Sequence, residues 1–424
     1  MHQTITPSQK TDGLKRADTL LGEKRTFLLL QGLMGRLFRR LGQGLIRAGH
    51  TVHKVNFNGG DRMFWRLPKG IDYLGSLEEW PAEFERLIHD LGVTDVVLFG
   101  DCRDHHLLAI PVANRLGITI HVFEEGYIRP DWVTLERGGV NGHSSLPRDP
   151  EWYLETAASL PPPAPHGKIP SSFRRRAWEA VVYNTADVLT RWHYKNWTNH
   201  RPWHPLVEGV GWLQKLNRRQ NDERDSQALI GRLEGKRYFL FPLQLDSDAQ
   251  IRLHSPFAGV AHALKLVINS FTAHAPADMR LVVKEHPLDN GVRNWCQVTA
   301  DIATVAGVAD RVDFLARGKI GPITRGAQGM VTINSTSGTL ALAEGVPVKV
   351  LGKAVFDVPS VTFAGELDDF WNSPPPPNKA AYEAFYRILV DRCLIPGGFF
   401  SEPALDMVVR HAIARFEGSH LPPG

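Results

Sequence analysis

Lys284-Glu285-His286-Pro287 follows directly on the apolar run Leu281-Val282-Val283. A buried strand that ends this way carries a cation and an imidazole to its C-terminal tip, where open α/β sheets hold their ligands. That pair suits a phosphate or a pyrimidine ring. Pro287 fixes its own φ, donates no hydrogen bond and keeps the histidine's backbone extended. A solvated loop with an incidental histidine would show the same four residues.

A second strand tip narrows the choice. After Met330-Val331-Thr332-Ile333-Asn334 come Ser335-Thr336-Ser337-Gly338 and a helical pattern. Hydroxyls, a glycine for close approach and unpaired N–H groups at a positive dipole end make an anion site that requires no metal; the alternative is an ordinary N-cap. Glu344, at the far end of this helix, either contacts a ribose or caps it. Asp246 and Asp248 end a third apolar run, Phe239-Leu240-Phe241, as nucleophile or base candidates or as an aspartate-rich turn. In the first half of the chain Glu124 and Glu125 stand at the tip of Thr119–Phe123. Adjacent carboxylates on an extended chain point apart, so one can act as general base while the other pairs with Arg129. Asn58-Gly59-Gly60-Asp61 forms a further strand-end loop whose glycines permit close backbone approach.

These tips need elements to hold them. Thr26–Leu30, Thr51–Phe57, Asp95–Gly100 and Thr119–Phe123 read as buried strands alternating with helices, one carrying Leu37, Leu41, Leu45 and Ile46 and another over His106–Leu116. The alternation breaks at residues 160–235, a Pro-rich linker followed by a basic, Trp-rich helical stretch, and resumes over 236–355. The expected organisation is a disordered lead-in at 1–24, a Rossmann-like acceptor domain at 25–159, the linker, a second Rossmann-like domain at 236–355 and closing helices at 356–424. Two Rossmann-like domains facing a cleft are the GT-B architecture of nucleotide-sugar glycosyltransferases.

Composition sets the limits. The 424 residues are 43% hydrophobic and 22% charged, enough for two cores. A net charge of +4 is mild, compatible with an anionic small molecule or a membrane surface, and no nucleic-acid motif accompanies it. Cys102, Cys296 and Cys393 lie far apart, which argues against a disulfide framework or structural zinc and for a reducing compartment. No secretory signal opens the chain and no run reaches the roughly 20 apolar residues of a spanning helix. Within 174–204, Arg174, Arg175, Arg176, Arg191 and Lys195 alternate with Trp178, Trp192, Trp197 and Trp203. Such a mixture serves an anionic lipid interface or aromatic core packing between domains.

Taken in order, "NFNGGD", "FEEGYIRP", "LQLDSDAQI", "KEHP" and "NSTSGTLALAEGVPV" resemble the capsular polysaccharide synthesis/export family of Gram-negative bacteria. The resemblance runs from residue 25 onward and implies a retaining β-Kdo transferase that primes the poly-Kdo linker. CMP-Kdo would be the donor, a phosphatidylglycerol-type lipid the acceptor, and neither metal nor other cofactor is expected. His286 and Pro287 would hold the CMP with Lys284; Ser335, Thr336, Ser337 and Gly338 would bind its phosphate, with Gln244 and Glu344 nearby. Asp248, or Asp246, would attack the anomeric carbon, and Glu125 or Glu124 would deprotonate the acceptor. Asn58, Gly59, Gly60, Asp61, Tyr127 and Arg129 would line the acceptor side. The implied location is the cytoplasmic face of the inner membrane, beside other capsule synthesis or export proteins. The alternatives are a GT-B transferase using CMP-sialic acid or a UDP-sugar, and a non-catalytic export adaptor.

Overall fold

A computed structural model of the chain describes residues 24–163, 167–198, 205–246 and 248–418. The lead-in over 1–24, apart from Lys24, and Trp203 lie outside these residues. The chain divides into two compact α/β units.

The first unit is built on a seven-stranded sheet. Its strands are β1 (Thr26–Leu29), β2 (Thr51–Asn56), β3 (Gly70–Asp72), β4 (Asp95–Phe99), β5 (Thr119–Glu125), β6 (Trp132–Arg137) and β12 (Leu394–Pro396), in the order β12-β6-β5-β4-β1-β2-β3. The five strands from β3 to β5 are parallel, while β6 runs antiparallel to both of its neighbours. Phe27, Leu28 and Leu29 are fully buried because helices cover both faces of β1; each such side chain contributes about 1.5–3 kcal/mol. The helix Leu37–Arg47 inserts Leu37, Phe38, Leu41 and Leu45 into one core beside Leu405 and Val408 of the helix Glu402–Phe416. At the start of β4, Asp95 accepts from Arg25 Nε and pairs with His121 Nε2, each at 2.8 Å. Burial alone would raise its pKa, but His121 and Arg25 outweigh burial and hold the carboxyl below the usual range.

The second unit has a five-stranded, wholly parallel sheet. Its strands are β7 (Tyr238–Pro242), β8 (Arg280–Lys284), β9 (Val312–Leu315), β10 (Gly329–Thr332) and β11 (Val348–Val350), in the order β11-β10-β7-β8-β9. Phe239, Phe271, Phe370 and Trp371 fill its core. The expected pair of Rossmann-like α/β units is therefore present.

The boundaries between units fall differently from the expected ones. The first unit ends at Val140, takes in Pro163–Thr198 and regains the chain at Arg392; Asn141–Pro162 and Asn199–Asp391 belong to the second. So the helix Phe173–Leu189 is part of the first unit and the helix Pro205–Leu233 part of the second, where one linker was expected. The tail splits too: the helix Lys379–Arg392 stays with the second unit up to Asp391, while β12 and the last helix complete the first. Backbone pairing is the cause. β12 adds to the edge strand β6, and Ser172 N–H donates to the Phe400 carbonyl at 3.2 Å.

Candidate functional site

In the second unit, the parallel strands β10, β7 and β8 are consecutive neighbours, so their C-terminal tips share one sheet edge. Asn334 and Ser335 follow β10, Gln244 to Asp248 follow β7, and Glu285 to Pro287 follow β8. Two strand spacings of about 4.8 Å separate the outer pair by roughly 10 Å. Direct bonds tie the row together. Leu243 N–H donates to the Lys284 carbonyl at 2.8 Å, and the Gln244 amide meets Asn334 twice, at 2.8 Å and 3.1 Å.

The His-Pro tip is a braced turn. Leu288 N–H donates to His286 Nδ1 at 3.1 Å. Nδ1 is therefore an acceptor, and in the neutral ring Nε2 carries the proton. Asp289 N–H bonds the His286 carbonyl at 3.0 Å, while the Asp289 carboxylate accepts from Gly291 N–H at 2.8 Å and Trp295 Nε1 at 3.0 Å. Lys215, from the helix Pro205–Leu233, reaches Glu285 Oε1 at 2.7 Å and the Asp289 carbonyl at 3.1 Å. Pro287 is exposed.

Lys284 is buried and donates from Nζ to the Glu285 carbonyl at 2.9 Å. Burial, reinforced by Lys215 and Arg317 against the pull of Glu285, pushes its pKa down to about 8. It braces the turn from beneath, a different position from the ligand contact the sequence implied. Burial raises the Glu285 carboxyl, with Lys215 opposing.

At the β10 tip, Ser335 N–H donates to Thr332 Oγ1 at 3.1 Å, and Ser337 donates to Ser335 Oγ through its N–H at 3.2 Å and its hydroxyl at 2.9 Å. Ser335 Oγ thus accepts twice and keeps its own proton to donate. The half-buried Thr336 lies between them with no side-chain capping bond. Gly338 serves packing. A Cβ there would lie 2.6 Å from the Phe356 ring, so the close approach is to Phe356 and not to a ligand. Gln244 likewise spends its amide on Asn334. Glu344 is exposed at the opposite end of the helix Ser337–Ala343, where its N–H closes the last turn and its carboxylate pairs with Arg325 at 2.9 Å. It is a cap, as one of the two sequence readings had it.

The two aspartates separate. Asp246 Oδ1 accepts the Val260 N–H at 2.9 Å, at the start of the helix Val260–His274, and Oδ2 accepts from Arg293 at 2.6 Å. Both of its oxygens are engaged in structure. Asp248 is half-buried, and its backbone closes the turn into the helix Ala249–His254 through bonds to Leu245 and Ile251.

In the first unit, Glu124 Oε1 accepts the Glu125 N–H at 2.9 Å. Glu125 is gripped by Arg176 at 2.9 Å and Arg129 at 3.0 Å, one guanidinium on each oxygen. The ion pair with Arg129 is present, and Arg176 adds a second. Tyr127 is 1% exposed and its hydroxyl donates to Glu136 at 2.5 Å; it is a buried post, not an acceptor contact.

Asn58, Gly59, Gly60 and Asp61 are also re-read. They start a helix, Gly59–Trp65, with Asn58 Oδ1 capping the Asp61 N–H at 2.9 Å. The helix Phe173–Leu189 roofs them. Tyr183 Oη meets Asn58 Nδ2 at 2.8 Å, Gln31 Nε2 at 3.1 Å and Asp61 Oδ1 at 3.2 Å. A Cβ on Gly60 would sit 2.6 Å from the Tyr183 ring, and one on Gly59 would sit 2.5 Å from the Ala186 carbonyl. The glycines let two helices touch. Lys54, buried beneath with its Nζ 3.7 Å from Asp61, is held below the usual lysine range by burial.

The residues that sequence reasoning missed are the braces: Lys215, Asp289, Arg293, Asn334, Tyr183 and Arg176. Only Asp289-Asn290-Gly291 carried a local signal, as a turn. The others act on partners remote in sequence.

Comparison with known proteins agrees with these motifs. Residues 94–400 match the family described as capsule polysaccharide biosynthesis protein. The capsule polysaccharide modification protein LipB of Neisseria meningitidis is 34% identical over 395 residues, 90% of this chain and 93% of that protein. The capsule polysaccharide export protein KpsS of Escherichia coli is 33% identical over 379 residues, 88% of this chain and 96% of that one. A solved structure of Thermosulfurimonas dismutans KpsC, named as a beta Kdo 2,7 transferase, aligns with 91% of this chain and 99% of its own at 15% identity and a TM-score of 0.41. With most of its length matched by that family and its relatives, the chain belongs to the capsule polysaccharide biosynthesis proteins.

Proposed function

We propose that the chain is a glycosyltransferase of capsule assembly that moves Kdo from CMP-Kdo to a phosphatidylglycerol-type lipid with retention of configuration. The observation that carries this reading is the shared edge of β8, β7 and β10, which sets an imidazole N–H donor, a carboxylate and a serine hydroxyl in one row.

His286 Nε2–H and the Ser335 hydroxyl donate to the cytidylate, and their dipoles oppose the charge that gathers on its phosphate as the glycosidic bond breaks. This stabilisation uses no metal. Asp248 attacks C2 of Kdo: a carboxylate C–O bond forms, the C2–O bond to the phosphate breaks, and CMP departs with the electron pair. The acceptor hydroxyl then attacks C2 from the vacated face and the Asp248 ester bond breaks. A carboxylate acting as general base takes the hydroxyl proton. Work on a lipid places the chain at the cytoplasmic face of the inner membrane. Among the described residues no helix is long and apolar enough to cross a membrane.

The test is incubation of the full chain with CMP-Kdo and a fluorescent phosphatidylglycerol analogue in detergent. The expected result is a Kdo-lipid and free CMP. No product from folded protein, or product only with CMP-sialic acid or a UDP-sugar, overturns the reading.

A further inference from the structure

The helix Phe173–Leu189 has its polarity turned inside out. Residues four apart share a helix face, and Glu179, Tyr183 and Asp187 form the buried one, with Glu179 3% and Asp187 8% exposed. Glu179 pairs there with Arg175 at 3.0 Å, and Tyr183 bonds the strand tips. The outward face carries Trp178, Val181 and Val188 and continues past the helix end to Trp192; the two indoles are 67% and 73% exposed. Leu189 lies beside them, 69% exposed. A helix packed on a globular core normally arranges these the other way. Trp197, by contrast, packs on His105 and Phe57.

Charge identifies what the face meets. Between Phe173 and Thr198 the acidic residues are Glu179 and Asp187, both turned inward. Arg174, Arg191 and Lys195 are exposed. The outward surface is therefore an apolar stripe with interfacial tryptophans and a wholly cationic rim, complementary to anionic headgroups over an acyl boundary.

We infer that this helix lies flat on an anionic lipid surface. Trp178, Val181, Val188 and Trp192 enter the headgroup-to-acyl boundary while Arg174, Arg191 and Lys195 meet lipid phosphates. Arg176 grips Glu125 from the same helix, so the docked element and the β5 tip move as one piece. The surface deepens the lipid-acceptor reading, on which its role in transfer rests, but its test contains no sugar nucleotide, so the two fail separately.

The experiment is co-sedimentation of the full chain with phosphatidylcholine vesicles, with and without phosphatidylserine, an anionic lipid without a glycerol headgroup. Binding should rise with phosphatidylserine and fall with salt. Trp178→Ser with Trp192→Ser should lower the partition coefficient about tenfold or more, given the apolar area two indoles bury. Arg191→Glu with Lys195→Glu should remove the phosphatidylserine-dependent part at an unchanged melting temperature. If the tryptophan pair fails to fold, Val181→Ser with Val188→Ser gives the same readout. No vesicle binding, binding undiminished in these variants, or a concentration-dependent dimer that the tryptophan pair abolishes would each overturn the inference, the last by showing a second copy as the occupant.

Discussion

Replacing Asp246 and Asp248 one at a time by alanine separates structure from chemistry at the β7 tip. Asp246 accepts the Val260 N–H at 2.9 Å, a helix-start bond whose loss costs about 0.5–2 kcal/mol. Its ion pair with Arg293 is partly exposed on both sides, 25% and 41%, so screening limits it to about 1 kcal/mol or less. Asp246→Ala should therefore destabilise the second unit by about 1–3 kcal/mol, with melting falling roughly 2–4 °C per kcal/mol in a unit of this size. Transfer should survive, reduced less than about tenfold, because the cost falls on the helix and not on the transition state. Asp248→Ala keeps the backbone bonds to Leu245 and Ile251. It should lose transfer entirely while CMP still protects the fold against heat. Differential scanning fluorimetry with and without CMP, alongside the Kdo-lipid assay, reads these quantities. Near-normal turnover in Asp248→Ala, together with an Asp246→Ala of unchanged stability that forms no Kdo-lipid, would refute the reasoning and pass the nucleophile to Asp246.

Two further outcomes follow from the β8 tip. Lys284 has its folded pKa pushed down to about 8, so between that value and the ordinary lysine range the unfolded chain binds more protons and stability rises with pH. The parent should therefore gain stability relative to Lys284→Met in denaturant titrations from about pH 8 to pH 10; a difference constant over that window contradicts the assignment. Asp289→Ala strands the Gly291 N–H and the Trp295 indole N–H, at about 1–3 kcal/mol for each donor left buried and unsatisfied. By releasing His286 it should raise the donor KM more than it lowers kcat, with Asp289→Asn recovering part of the loss; equal effects on both constants, with no rescue, exclude a positioning role.

Much of this was legible in single segments. The buried runs at Thr26–Leu29, Asp95–Phe99, Tyr238–Pro242 and Arg280–Lys284 are strands because apolar length and flanking turns specify them locally. The His-Pro and serine tips were readable for the same reason, since sheet topology brings parallel strand ends to one edge. What stayed hidden depends on distant partners. β12 is three residues that become a strand only by pairing with β6, and the stretch around Tyr183 reads as linker until Asn58 and Asp61, more than 120 residues earlier, bond its hydroxyl. Gly59, Gly60 and Gly338 look like ligand-approach glycines in sequence. The same absence of Cβ serves a helix or a phenyl ring equally well, and only the neighbour decides.

Counting lone pairs and protons narrows the chemistry further than residue type does. Glu125 and Asp246 are plausible reacting carboxylates by position, yet guanidinium groups and a helix start occupy their oxygens, so either would have to break a structural contact to react. The same accounting constrains recognition of the base. His286 receives a backbone N–H on Nδ1, which leaves its neutral ring only a donor, at Nε2. Such a ring can bond a phosphate oxygen or the cytosine carbonyl oxygen, but it has no lone pair to offer the exocyclic amine that distinguishes cytosine from uracil. On the proposed reading, discrimination between CMP and a uridine nucleotide comes from an acceptor other than this ring. A His286→Gln variant, which can donate but no longer fixes the ring, should weaken CMP and UMP alike; a selective loss of CMP would place the discrimination at this ring instead.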